Sequence, residues 1–455
     1  MIVMKFGGSS VESQEAIARV TAIVRGYEKR GPVVVVSAMG HSTNKLLQAA
    51  REAAAGRRDQ ALAIVDELRA HHLTHGLPLA GAAAADLDRY IRAHFEWLDE
   101  LVKGLSVVGE LSPRSMDAIA SVGERLSSLI VSFALRAAGI HAQHVDARRV
   151  ILTDDRFTQA QPLLEETYAL LRDHVQPVAA SSVVVMGGFI GATRNGQTTT
   201  LGRGGSDYSA AIVGAGLEAE EIQIWTDVDG MLTADPRIIP GGHRVKSISF
   251  AEAAEMAYFG AKVLHPATVL PAVEKNIPMR ILNSRRPEVD GTRITSEPAP
   301  CRNAVKSISC KRDITILNIH STRMLMAHGF LRRIFEIFDR FGTSVDMVAT
   351  SEVSVSLTVD NRENLDAISR ELREFAQVSS EEGQSIVCLI GENIRHTPGI
   401  AGRAFQVLQK KNIRMISQGA SLLNLGFVIS DSDLESAVAA LHHELFSDLD
   451  PAVFD

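Results

Sequence analysis

Apolar residues fall along this 455-residue chain in two rhythms, and the change of rhythm divides it. Up to about residue 295, short continuous runs of β-branched residues alternate with longer stretches of helical period. Val33–Val36 lies between Gly31-Pro32 and Ser37, Val183–Met186 ends at Gly187-Gly188, and Ile222–Trp225 leads into Thr226-Asp227. Continuous runs of this length suit parallel strands covered on both faces, because a strand with one wet face would alternate. Gly123–Ala138 and Ala251–Phe259 are helical in spacing, and residues 49–114 are Ala-rich and helical without obvious chemistry. Strands alternating with helices predict an α/β fold, a three-layer αβα sandwich. Ligands in such sheets sit at the carboxyl ends of strands. Ser37, Gly187-Gly188 and Thr226-Asp227 each follow a run, so they are expected to converge.

Residues 287–303, rich in Pro, Gly and polar side chains, read as a linker. Beyond them the chain repeats itself: Gly329–Val359 aligns without gaps on Gly399–Ile429. Gly329/Gly399, Arg333/Arg403, Phe335/Phe405 and Ser351/Ser421 are identical. Each copy predicts a helix, with apolar faces Leu331, Ile334, Phe335, Phe338 and Ala401, Ala404, Phe405, Leu408. Each then predicts an alternating strand, through Val353, Val355, Leu357, Val359 and through Leu423, Leu425, Phe427, Ile429. Two copies are too few for a solenoid.

Composition narrows the class. With 45% hydrophobic and 22% charged residues, the chain is ordinary globular, long enough for two or three domains. A net charge of −7 argues against nucleic-acid or acidic-membrane partners. Cys301, Cys310 and Cys388 lack metal-type spacing and read as reduced thiols. The fifteen histidines are scattered, and no dedicated metal cluster is evident. The first residues lack a secretory-leader pattern, and no apolar run approaches the ~20 residues of a membrane span. The expectation is a cytoplasmic protein with no membrane partner.

The densest chemistry is TTTLGRGGSDYSAA, Thr198–Ala211. Gly202, Gly204 and Gly205 let backbone approach a ligand, and Arg203 offers a planar fork for a carboxylate or phosphate. Ser206 and Asp207 read as the start of a helix through Tyr208 and Ile212. A glycine loop feeding a helix N-terminus is an anion site, since free N–H groups and the helix dipole both point at the ligand. Near the N-terminus, Lys5 precedes Gly7-Gly8-Ser9 at the end of an apolar run, and GxxxxGK[ST] is absent around it.

MKFGGSSV (Met4–Val11), the glycine loop and WTDVDGM (Trp225–Met231), in this order, resemble the aspartate kinases of the amino-acid kinase family. The resemblance extends from Lys5 to about Phe446 and favours the single-function, lysine-regulated type. It implies a catalytic domain over 1–295 and two ACT (βαββαβ) units over 304–375 and 376–450. One unit would be inserted in the other, so that Ala304–Ser309 pairs with the C-terminal unit. The implied substrates are ATP and L-aspartate, with Mg2+ carried mainly by the nucleotide. The product, 4-phospho-L-aspartate, opens lysine, threonine and methionine biosynthesis.

By the same resemblance, Lys5 meets the nucleotide phosphates, and Gly7, Gly8 and Ser9 bring backbone N–H groups to them. Ser37 and Thr43 help hold aspartate. Glu124 takes its α-ammonium and Arg203 its α-carboxylate, while Gly188, Phe189, Ser206 and Asp207 complete the pocket. Thr226, Asp227, Leu232 and Arg237 form the adenine and ribose segment, and Lys262, in FGAKVLHP, is the second phosphate lysine. The catalytic set is Lys5, Arg203, Asp207 and Lys262. Leu232 stands where a tyrosine often packs on the base. The reaction implied is in-line attack by the β-carboxylate on the γ-phosphate, with catalysis by positioning and charge neutralisation.

The implied effector is L-lysine, with threonine as the alternative, bound where two ACT units meet in a homodimer or larger assembly. Met324, Gly329, Phe330 and Leu331 would form one side. Ser344, Val345, Asp346, Ser351 and Glu352 would form the other, with Asp346 suited to an ε-ammonium. Met326 and His328 depart from the family pattern. Three other readings stay open. The chain could be an amino-acid kinase for acetylglutamate, glutamate or UMP, whose members usually lack the C-terminal repeat. It could be a non-catalytic amino-acid sensor, which would not need Lys5 and Lys262. It could also be a feedback-insensitive aspartate kinase.

Overall fold

In the computed structural model, which describes residues 1–260, 266–322 and 328–455, the chain forms two compact units. The first comprises Met1–Met231, Lys246–Phe250 and Leu264–Pro298; the second comprises Leu232–Val245, Ala251–Val263 and Ala299–Asp455.

The strands of the first unit are β1 (Ile2–Phe6), β2 (Pro32–Val36), β3 (Ala142–His144), β4 (Leu152–Thr153), β5 (Val183–Gly187), β6 (Ile190–Thr193), β7 (Thr198–Thr200), β8 (Glu221–Thr226), β9 (Ser247–Ser249), β10 (Met279–Asn283) and β11 (Thr292–Thr295). Eight of them form one sheet in the order β3-β5-β2-β1-β8-β10-β11-β9, parallel except where β11 runs against β10. β4, β6 and β7 form a small second sheet. Helices α1 (Gln14–Tyr27), α2 (Ser42–Ala54), α3 (Arg58–Gly76), α4 (Ala84–Val108), α5 (Pro113–Ala120) and α6 (Val122–Ala137) precede α7 (Leu164–Leu170), α8 (Gln176–Ala179) and α9 (Gly205–Gly216).

Every residue of β1 and β2 is buried, as the unbroken apolar runs require. Ile2, Met4, Phe6, Val34 and Val36 share one core with Ile17, Leu46, Val65, Ile91 and Ile130 from α1, α2, α3, α4 and α6. Helix α9 packs against β1 and β2 as well, so the sheet is covered by helices as the αβα reading predicted. Phe6 stacks on Trp225 at 5.9 Å, joining β1 to β8 at their carboxyl ends. The α5–α6 run, Pro113–Ala137, has the length and apolarity of a membrane span, but 83% of that window is buried in the protein.

The predicted linker holds a strand. β11 lies inside 287–303, antiparallel to β10, and the Thr292 hydroxyl accepts the Met231 N–H at 2.8 Å. The Pro and Gly residues around it mask a short β-branched segment, TRIT, that finds its partner only across the sheet.

The second unit contains most of α10 (Phe250–Tyr258), while α11 (Leu270–Glu274) belongs to the first. The remaining strands are β12 (Ser307–His320), β13 (Val348–Thr350), β14 (Ser354–Val359), β15 (Gln377–Ile390), β16 (Met415–Gln418) and β17 (Asn424–Ser430). They form one antiparallel sheet, β13-β14-β12-β15-β17-β16, with helices α12 (Phe330–Arg340), α13 (Leu365–Leu372), α14 (Ile400–Val407) and α15 (Leu434–Leu445). β12 and β15 each serve both copies of the repeat. Thr315–His320 pairs with β14 and Ile316–His320 with the start of β15, whereas Ser307–Lys311 pairs with Ile386–Ile390, beside β17.

The apolar faces of the repeat helices are rotated from those predicted. Ile334, Ile337 and Phe338 are buried in α12, whereas Leu331 and Phe335 are exposed. In the second copy Ile400, Ala404 and Leu408 are buried, and Ala401 and Phe405 are half-buried. The sheet meets each helix about one residue position round the stripe, a rotation that spacing alone does not fix.

Candidate active site

Three neighbouring strands end at one level. Gly7 N–H donates to the Trp225 carbonyl at 3.1 Å, Ser37 N–H to Phe6 at 3.0 Å and Gly188 N–H to Val36 at 2.8 Å. The turns after β1, β2, β5 and β7 enclose a cavity of about 290 Å³ lined by Lys5, Gly8, Ser37, Thr43, Glu124, Phe189, Ser206 and Asp207, with Ala38, Gly40, Gly202, Gly204 and Gly205 between them. Gly40, in the turn after β2, was not singled out from sequence. The approach is close: a Cβ on Gly188 would lie 2.8 Å from Ser206 Cβ. Phe189 takes a left-handed φ of 65°, and its N–H is held by Ser209 Oγ at 2.9 Å.

Helix α9 begins at Gly205 rather than at Ser206. Gly204, at φ 70°, is its N-cap and no side chain caps it, so Ser206 and Asp207 lie in the first turn and line the cavity. Thr43 likewise lies inside α2, which starts at Ser42 without a side-chain cap.

Two charged features define the cavity. Lys5 Nζ sits 2.7 Å from Asp207 Oδ1, both side chains nearly buried. Glu124 projects from α6 and is 3% exposed. Its Oε1 accepts the Ala38 N–H at 3.2 Å, while its Oε2 is buried without a hydrogen-bond partner among the described residues. Burial pushes this carboxyl up to about 8, opposed by the Ala38 and Glu124 N–H groups. Once ionised, a half-satisfied carboxyl on a cavity wall favours a cation beside it.

Arg203 lies on the loop between Gly202 and Gly204 but is exposed, does not line the cavity, and has no partner among the described residues. Gly7 and Ser9 are half-buried in the turn after β1. Thr226 ends β8, and its carbonyl accepts both N–H and Oγ of Ser284 at 2.8 and 3.1 Å. Ser284 Oγ also meets Ser10 Oγ at 2.8 Å, tying the β1, β8 and β10 turns together. Asp227 is exposed beside Thr226. Leu232 and Arg237 belong to the second unit, where Leu232 O accepts Ser307 Oγ and Arg237 forks onto Asp235. Lys262 lies outside the described residues.

Comparison with known proteins places this geometry. The amino acid kinase family matches residues 1–283, and the ACT domain matches 387–445. Aspartokinase 1, chloroplastic, of Arabidopsis thaliana is 40% identical, covering 98% of this chain and 80% of the relative. Lysine-sensitive aspartokinase 3 of Escherichia coli is 37% identical, covering 98% and 99%. The crystal structure of E. coli aspartokinase III in complex with aspartate and ADP superposes with a TM-score of 0.86 at 37% identity, covering 98% of this chain and all of that one. The chain belongs to the amino acid kinase family, among the aspartokinases.

In this aspartokinase-family chain the residues that the sequence marked for an effector lie in the second unit. Gly329, at φ 82°, is the N-cap of α12, and no side chain caps that helix. Phe330 packs edge-on against Phe375 at 5.6 Å, and Val345 packs on the same core. Leu331, Ser344 and Glu352 are exposed, and Ser351 Oγ accepts the Ser354 N–H at 3.2 Å. Asp346 is already engaged. Its Oδ1 meets Lys311 Nζ at 2.6 Å and the Tyr258 hydroxyl at 3.1 Å, and Lys311 also reaches Asp360 at 2.7 Å. Burial and these carboxylates push the Tyr258 hydroxyl up to about 12. Met324 and Met326 lie outside the described residues.

Proposed function

We propose that this chain is an aspartate kinase, transferring the γ-phosphate of ATP to the β-carboxylate of L-aspartate to give 4-phospho-L-aspartate and ADP. The observation that carries this reading is the unpartnered, buried Oε2 of Glu124 on the wall of a cavity that also contains Lys5. Glu124 would take the α-ammonium of aspartate. Arg203, which has no partner among the described residues, would take the α-carboxylate, leaving the β-carboxylate as nucleophile. That group is ionised at neutral pH, so no general base is needed. Asp207 fixes the Lys5 ammonium, which would face the transferring phosphate, with the N-terminus of α9 adding N–H dipoles. Ser37 and Thr43 would complete the aspartate side; Gly7, Gly8, Ser9, Thr226 and Asp227 the nucleotide side. Among the described residues no three His, Cys, Asp or Glu side chains are grouped to hold a metal. Mg2+ would be bound chiefly through nucleotide phosphates, where it would neutralise their charge.

We assign regulation to the second unit, with L-lysine as effector at the first copy of the repeat; the lysine-sensitive E. coli relative supports this. An incoming ε-ammonium would meet Asp346 in competition with Lys311. That prior engagement also favours a second reading, an enzyme that responds weakly to lysine. We further propose a cytoplasmic homodimer joined through the ACT units, supported by the exposed Leu331, Phe335 and Val348.

Hydroxylamine trapping tests both halves. Aspartate- and ATP-dependent hydroxamate that millimolar lysine suppresses is expected. Hydroxamate indifferent to lysine would keep the kinase and remove the effector. No hydroxamate would sink the aspartate assignment.

A further inference from the structure

Asp117, on α5, is 1% exposed, and among the described residues no ion pair with a lysine or arginine holds it. Its carboxylate instead gathers three uncharged donors. Oδ2 accepts the N–H of Thr158 at 2.9 Å and of Thr200 at 3.0 Å; Oδ1 accepts the Thr200 hydroxyl at 2.7 Å. Desolvating a carboxylate in this way is costly, and the charge-assisted bonds it gains are about twice as strong as neutral ones. What it holds is specific. Thr158 is kept at φ 72°, a conformation that β-branched residues avoid. Thr200 is the last residue of β7, and its carbonyl accepts the Ala160 N–H at 2.9 Å. Thr199 beside it is pinned to Thr153, hydroxyl to hydroxyl, at 2.7 Å. Leu201, Gly202 and Arg203 follow directly.

Arg203 has no side-chain partner among the described residues, so its position descends from the backbone that carries it, whose last anchors before Gly202 are Thr200 and Leu201, the latter donating its N–H to the Phe189 carbonyl at 2.9 Å. We infer that Asp117 is a positioning residue for aspartate binding, clamping Thr200 and thereby aiming the loop that bears Arg203. The inference rests on the assignment of Arg203 to the substrate carboxylate.

The variants Asp117→Ala and Asp117→Asn separate aim from folding. Asparagine can keep all three bonds, because its oxygen accepts both N–H groups and its NH2 donates to the Thr200 hydroxyl. Alanine keeps none. Two readouts are taken: KM for aspartate and for ATP by hydroxamate trapping, and hydrogen exchange of the 198–205 segment. Asp117→Ala is expected to raise KM for aspartate at least tenfold, leave KM for ATP within twofold, and speed exchange in 198–205. Asp117→Asn should restore all three. Thr200→Val, which removes only the hydroxyl bond, should shift aspartate KM and loop exchange in the same direction by less, and it serves where the alanine variant does not fold. Unchanged exchange in 198–205 overturns the clamp whatever the kinetics. Faster exchange with unchanged aspartate KM, or with both KM values raised alike, overturns the positioning role. A wild type that turns over no aspartate overturns the functional reading instead, and the exchange data still decide the clamp.

Discussion

Aspartate binding at neutral pH should release a proton, and Glu124 should be its source. With its carboxyl pushed up to about 8, Glu124 in the empty site is about 90% protonated at pH 7. An α-ammonium beside Oε2 favours the carboxylate, so binding should expel about 0.9 proton. Ionising the group at pH 7 costs about 1.4 kcal/mol, one pKa unit, and therefore about tenfold in affinity. KM for aspartate should accordingly fall about tenfold between pH 6 and 7, fall further toward pH 8, and level off above it. The sign follows from the substrate: its amino group stays protonated across this window, so only Glu124 changes charge. Calorimetric titration at pH 7 in two buffers of different ionisation enthalpy counts the protons directly. The same shift acts on folding. Because the folded-state value lies above the ordinary 4.5, the folded protein binds the extra proton. Stability relative to Glu124→Gln should therefore be greatest below about pH 4.5 and decline up to about pH 8. Glu124→Gln should abolish proton release and flatten the KM profile, with affinity at pH 8 reduced about 10- to 100-fold. Buffer-independent heats with a flat wild-type profile would refute the assignment of Glu124 to the ammonium.

Other consequences are as direct. Asp346→Ala should raise at least tenfold the lysine concentration that halves activity, read as the ratio of rates with and without lysine; an unshifted ratio would move the effector elsewhere. Lys306 and Glu252 are both buried and meet at 3.0 Å. Lys306→Met should cost about 3–5 kcal/mol in denaturant unfolding of the second unit, since it removes the buried ammonium that the Glu252 carboxylate faces; a loss below about 1 kcal/mol would contradict that. Gly188→Ala places a Cβ 2.8 Å from Ser206 Cβ. It should lower kcat/KM about 100-fold while circular dichroism stays native, because the displaced loop misplaces the reacting groups by a fraction of an ångström to an ångström.

Much of this chain can be read in one dimension because its signals are local. Unbroken runs such as Val33–Val36 mark covered parallel strands, and each lies within a residue or two of the observed β2, β5 and β8. The glycine loop, the helix after it and the duplicated module depend on near neighbours in sequence, and so does the family likeness that names the chemistry. What sequence could not supply depends on partners that are distant along the chain. Apart from the family likeness, Glu124 reads as an ordinary helix glutamate until Ala38, 86 residues away, takes one oxygen and packing buries the other. Asp117 carries no signal at all, because its donors lie at Thr158 and Thr200. The strand in 287–303 is fixed by pairing to β10, and Asp346 is claimed by Lys311 across the sheet. The rotation of α12, which leaves Leu331 and Phe335 exposed, is set by the surface it packs on. Periodicity and turn chemistry specify which element forms; burial, register and long-range polar pairing are properties of the packed chain, and only the tertiary structure decided them.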